Sequence, residues 1–125
     1  MNMLIPHLHF CGDCTDAIAL YEKAFNTKVD YPPEYSDNII AHASIKIHGQ
    51  TIYLNDNDMF SSKRKTPDCA QHLVVTFESV EELLACYEFF KEDAVVVHQF
   101  TAESYSKLSG NFLDKFGVLW GFMVI

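Results

Sequence analysis

The tetrapeptide Ala19-Leu20-Tyr21-Glu22 returns 66 positions later as Ala85-Cys86-Tyr87-Glu88, and the segments on either side of the two copies fall into step. A self-match of this kind marks a repeated supersecondary unit. Outward from the first copy, Ile5 to Cys11 reads as a strand that Gly12-Asp13 ends. Ala17, Leu20, Tyr21, Ala24 and Phe25 then recur at helical spacing. A weak strand is expected around Lys28 to Tyr31. Ile39 to Ile47 alternates, with Ala43, Ile45 and Ile47 on one side and His42, Ser44 and Lys46 on the other. His48-Gly49-Gln50 supplies a tight turn into Thr51 to Asn55, where the glycine takes the positive φ that hairpin turns favour.

The second copy keeps this order. His72 to Phe77 is rich in β-branched and aromatic residues, and Ser79-Val80-Glu81-Glu82 is a capping box that opens a helix. Val80, Leu83, Leu84, Tyr87 and Phe90 form its expected apolar face. Val95 to Phe100, Asn111 to Asp114 and Val118 to Ile125 are the remaining strands, with Asp114 and Gly117 at the ends of a type I turn. Each half therefore reads β, α, β, β, β. One domain over 1–125 is expected: a first module at about 1–57, a polar linker carrying Pro67 at about 58–70, and a second module at about 71–125.

Composition removes several functions. A net charge of -8 and a pI near 5.0 leave no basic surface for nucleic acid, and the one basic cluster, Lys63-Arg64-Lys65, sits between acidic and polar loops. The opening residues lack the basic and apolar regions of a signal peptide. The longest apolar run, Val118 to Ile125, falls far short of the roughly 20 residues a membrane helix needs. A cytoplasmic protein without a membrane partner is expected, with reduced thiols at Cys11, Cys14, Cys69 and Cys86.

Pro6-His7-Leu8-His9-Phe10-Cys11-Gly12, Ala17 through Tyr21 to Phe25, His42-Ala43 and above all Asp114-Lys115-Phe116-Gly117-Val118-Leu119-Trp120 resemble the glyoxalase, or vicinal-oxygen-chelate, superfamily in its PhnB-like branch. The resemblance implies an α+β fold: two βαβββ modules form a curved mixed sheet around a cleft, with the helices on the convex side. It also implies that metal-dependent members place one ligand on the first and one on the last strand of each module, usually two histidines and two glutamates. Counted back from Gly12-Asp13, the first slot falls on Pro6, and its counterpart falls on His72. The closing strands offer Tyr53 and Gly121. A divalent ion needs three or four N, O or S donors at about 2 to 2.3 Å, so neither a metal nor a cofactor is expected. His7 enters the cleft only through a one-residue bulge. The branch is often labelled a methyltransferase of ubiquinone synthesis, yet the five glycines are scattered and none opens a helix as a nucleoside-binding loop.

On this reading Leu8, Phe10, Tyr53, His72, Val74 and Met123 line the cleft, while His7 and His9 look toward the helices and Trp120 packs under one, its indole N–H needing a partner. His48 belongs to a turn, His98 to an edge strand, and His42 hydrogen-bonds within the sheet. Thr101 to Ser109 reads as a polar loop at one end of the cleft, with Tyr105 as its large aromatic. Cys11-Gly12-Asp13-Cys14 has redox-motif spacing but lacks the parallel βαβ context of such sites. Three functions fit: a metal-free small-molecule binder or enzyme of unassigned activity, a metal-dependent lyase or dioxygenase, and an interaction module with a filled cleft. A homodimer is expected, because the superfamily commonly completes its clefts in dimers and because a chain this short leaves apolar positions and strand edges for a partner to cover.

Overall fold

A computed structural model describes residues 2–57 and 71–125, so the expected linker at 58–70 lies outside the described residues. The chain divides into two compact units, Met1–Ser62 and Lys63–Ile125. In the first, β1 (His7–Phe10), α1 (Cys14–Ala24), β2 (Glu34–Ser36), β3 (Ile39–Ile47) and β4 (Gln50–Asp56) build a sheet of order β1-β4-β3-β2. In the second, β5 (Leu73–Phe77), α2 (Val80–Tyr87), β6 (Val95–Glu103), β7 (Ser106–Leu113) and β8 (Leu119–Val124) give β5-β8-β7-β6. The two orders are the same path traced twice: first and last strands pair in parallel, and the rest are antiparallel.

Each sheet buries one face under its helix. In the first unit Phe10, Ala43, Ile45, Ile47, Ile52 and Leu54 meet Ala17, Ile18, Tyr21 and Phe25, and the Phe10 and Tyr21 rings lie 6.5 Å apart. In the second, Phe77, Phe112, Trp120 and Phe122 pack beneath Leu83, Cys86 and Phe90. Phe112 and Phe122 meet edge-on at 5.0 Å, a geometry that aligns one ring's positive edge with the other's negative face. Leu84, expected on the apolar face of α2, is exposed, and Cys86 is buried on that face.

The helices start differently. Ser79 Oγ accepts the Glu82 amide at 3.1 Å, as its sequence signature predicts. Asp13 makes no side-chain cap. Instead Asp56, at the end of β4, accepts the Gly12 and Cys14 amides on Oδ1 at 2.8 and 3.0 Å and the Ile40 amide on Oδ2 at 3.0 Å. The β3–β4 hairpin turns on His48 and Gly49, both at positive φ (49° and 82°), the pair of conformations a type I′ turn demands.

The Asp-x-Phe-Gly-Val-x-Trp segment is a folding device. Gly117 N donates to Asp114 O at 3.0 Å, closing the expected turn. Asp114 Oδ1 accepts the Phe116 and Val118 amides at 2.8 and 3.0 Å, and its Oδ2 accepts Trp120 Nε1 at 2.9 Å. Asp114 is 3% and Trp120 1% exposed, so the indole buried under α2 has the partner it requires.

Two elements differ from expectation. The weak strand at Lys28 to Tyr31 reduces to a single bridge from Val29 to Ile45, and β2 forms beyond Pro32-Pro33, since neither proline has an amide to donate to a ladder. The expected loop Thr101 to Ser109 is the tip of the β6–β7 hairpin, turning at Ser104-Tyr105. Register shifts interrupt that pairing at three places, between Val96 and His98, His98 and Thr101, and Thr101 and Glu103. Among the described residues no helix is long and apolar enough to cross a membrane.

Candidate functional site

The helix-free face of the first sheet is polar and rich in rings. Pairing places His7 beside Tyr53, His9 beside Asn55, and Ser44 opposite Tyr53, so these residues and His42 project from one side. The His7 and His9 rings stack at 4.3 Å, Tyr53 meets His7 edge-on at 6.0 Å and His42 at 4.9 Å, and Tyr31 Oη lies 2.8 Å from His42 Nε2. His9 Nδ1 donates to Asn55 Oδ1 at 2.7 Å. At the border of the face Asp30 accepts from Ser44 Oγ at 2.7 Å and from Lys46 Nζ at 2.8 Å, and these bonds hold its carboxyl below the usual range. Burial, helped by the neighbouring His9 and His42 imidazoles and opposed by Asn55, holds His7 below the ordinary histidine value.

This face corrects the expected lining. Tyr53 lies on it, but Leu8 and Phe10 lie on the other side: Leu8 pairs with Leu54 and Phe10 with Asp56, and Phe10 is buried against Tyr21 of α1. His7 and His9, expected toward the helices, take their place. The signal was the alternation of His7-Leu8-His9-Phe10 itself. An amphipathic strand buries its apolar alternates, whereas counting back from Gly12 set the register one residue off. Pro6 stands outside the strand and accepts the Tyr53 amide through its carbonyl at 3.0 Å.

In the second sheet Val74 pairs with Gly121, Thr76 with Met123, and Asn111 with Gly121, opposite in facing to Trp120 and Phe122. Val74 is 54% exposed and Met123 is half-buried. A Cβ at Gly121 would stand 2.8 Å from His72 Cδ2 and 3.0 Å from both His72 Nε2 and Asn111 Oδ1. The bare glycine is thus what lets the imidazole and the carboxamide lie over β8. Gly121→Ala is expected to push the exposed His72 ring aside, moving its NMR resonances while changing stability by less than about 1 kcal/mol. Unmoved His72 signals would show that the ring does not rest there.

Cys11 is exposed and Cys14 buried. Burial, with the Asp56 carboxylate adding to it, pushes the Cys14 thiol up to about 12, so it is no thiolate nucleophile at neutral pH despite its place at a helix start.

A β-α-β-β-β unit used twice, each copy keeping one open sheet face with an imidazole on its leading strand segment, defines a duplicated βαβββ protein. The chain belongs to the Glyoxalase/Bleomycin resistance protein/Dioxygenase superfamily, whose sequence pattern it matches over residues 4–122. It is 26% identical over 142 residues to Protein YjdN of Escherichia coli K12, spanning 98% of this chain and 95% of that protein. The fold matches a PhnB protein from Bacillus cereus with a TM-score of 0.83 at 24% identity, covering 99% of this chain and 100% of the other. It also matches PA1353 from Pseudomonas aeruginosa at 0.81 and 20% identity, covering 99% and 98%. The chain is PhnB-like in fold over its whole described length.

The superfamily's metal positions do not fit an ion here. The observed register moves the first slot from Pro6 to His7, beside Tyr53, and leaves His72 beside Gly121. Tyr53 is a poor ligand and Gly121 offers no side chain. Among the described residues no three of His, Cys, Asp and Glu converge as a metal set.

Proposed function

We propose that this protein binds a small organic molecule on the helix-free face of its first sheet, through His7, His9, His42, Tyr53 and Asn55, without a superfamily-type metal ion. One observation carries the reading. The first sheet spends three imidazoles, a phenol and a carboxamide on a face that remains partly open, where a strand built only for packing would place apolar side chains. A cytoplasmic setting belongs to the same reading.

A thermal-shift screen of a metabolite library tests it. A ligand at a hundredfold excess over its Kd adds about 2.7 kcal/mol of stability, a clear rise in Tm. Hits are expected to lose their effect in Tyr53→Ala. A library without a hit, or hits indifferent to substitutions on this face, would overturn the proposal.

A further inference from the structure

We propose that Asn55 is the specificity-determining residue of this face, and that its side-chain N–H group receives the carbonyl oxygen of a flat, uncharged ring such as a cyclic amide. The inference rests on the small-molecule reading above and deepens it by naming the chemistry of the ligand. Asn55 lies on β4 two residues beyond Tyr53, and strand alternation puts both on the helix-free side. Its carboxamide is fixed in direction. His9 Nδ1 donates to Oδ1 at 2.7 Å, and Asn55 also opposes the lowering of His7, as an accepting oxygen beside an imidazole does. The oxygen end therefore faces β1, which turns Nδ2 and its two hydrogens the other way. Among the described residues no acceptor meets Nδ2, and no side chain there hides a buried polar atom without a partner, so this donor reaches solvent.

The surroundings select the partner. Tyr53 meets His7 at 6.0 Å and His42 at 4.9 Å, and His42 lies on the neighbouring strand two residues before Ser44, so rings border the donor. A flat unsaturated ring gains edge and stacking contacts against such a border beyond the area it buries. Charge argues for a neutral ligand. Lys46 Nζ is bound to Asp30 Oδ1 at 2.8 Å and Glu34 stands opposite His42, so an anion would meet an acid and find the lysine of this face already engaged. A ring carbonyl satisfies both constraints. Its oxygen accepts from a neutral N–H without a counter-charge, and a fixed donor rejects analogues lacking the acceptor, because it is then covered and unpaired. No covalent bond changes and no proton is transferred.

The test uses the intact, isotope-labelled protein and three probes: oxindole, which joins a flat ring to a carbonyl, indole, which has the ring alone, and δ-valerolactam, which has the carbonyl alone. NMR titration is the readout. Oxindole is expected to shift the Asn55 side-chain amide resonances and to bind about fivefold tighter, or more, than either of the other two. Asn55→Asp keeps an oxygen for His9 and removes the donor, so it is expected to erase the preference for oxindole over indole. Tyr105→Ala, at an exposed ring of the other unit, is expected to leave that preference unchanged. Unmoved Asn55 amide signals, a readout that needs no variant, would overturn the inference. So would equal binding of oxindole and indole, or a preference that survives in Asn55→Asp. Library hits that carry no ring carbonyl, and depend on Tyr53 but not on Asn55, would overturn it while the small-molecule reading stands. Asn55-dependent oxindole binding with an empty library screen would do the reverse.

Discussion

Asp114→Ala is expected to destabilise the protein by about 3–5 kcal/mol, the largest effect of any single polar substitution proposed for this chain. The carboxylate is 3% exposed and accepts three donors, two backbone amides and the Trp120 indole, which lies with it under α2. Alanine leaves the Phe116 amide and the Trp120 indole buried, and the Val118 amide partly buried, without that acceptor, and hydrogen bonds to a charged group are worth about 1.5–3 kcal/mol each before the surroundings relax. Trp120 is the single tryptophan of the chain, so its fluorescence reports directly. Urea unfolding followed by tryptophan emission should show an early midpoint and a red-shifted native spectrum. Asp114→Asn, which keeps one acceptor oxygen, should fall between. A midpoint for Asp114→Ala within about 1 kcal/mol of the parent would mean that the turn and the indole are held by something else.

Asp56→Ala is expected to cost about 2–4 kcal/mol and to act mostly on one place. Its two oxygens hold the Gly12, Cys14 and Ile40 amides, so it caps α1 from the last strand of the same sheet and ties in the start of β3. Without it the first turn of α1 loosens, and Cys14, buried and carrying a thiol pushed up to about 12 chiefly by burial, gains solvent and loses a neighbouring negative charge. Alkylation followed by peptide mass mapping separates this from global unfolding. Cys14 should become reactive well below the denaturation midpoint, while Cys86, buried in the other unit, stays protected. Equal reactivity of both thiols would show that the change is global and that Asp56 does not act on α1 alone.

The duplication was legible because it is written in features that survive divergence: helix periodicity, a capping serine, turn glycines and element order. The partner for the Trp120 indole lay within its own motif, since a buried N–H demands an acceptor and Asp114 stands six residues before it. Facing in β1 departs from the expectation because a one-residue step inverts every side chain, and the ligand slot implied by the family resemblance outweighed the alternation of His7, Leu8, His9 and Phe10. The β6–β7 hairpin was hidden by its polar composition. Thr101 to Ser109 takes in the end of edge strand β6, the tip and the start of β7, and hydrophobic pattern fades where the side chains are polar or exposed. Of the expected cleft set, Tyr53, Val74 and Met123 lie on helix-free faces, with His72 over Gly121. Leu8 and Phe10 do not, and the imidazole stack that replaces them follows from register alone.

The interrupted pairing of β6 bears on how the protein behaves when crowded. This outermost strand of its sheet opens with Val95, Val96 and Val97, exposed by 37, 43 and 42%, the kind of apolar border onto which a further chain can add and from which cross-β fibrils grow. An incoming strand needs an even row of amides and carbonyls to continue the sheet. Three register shifts within nine residues break that row and twist the border away from it. Protection against fibrillar growth is thus built into backbone register, leaving the valines in place.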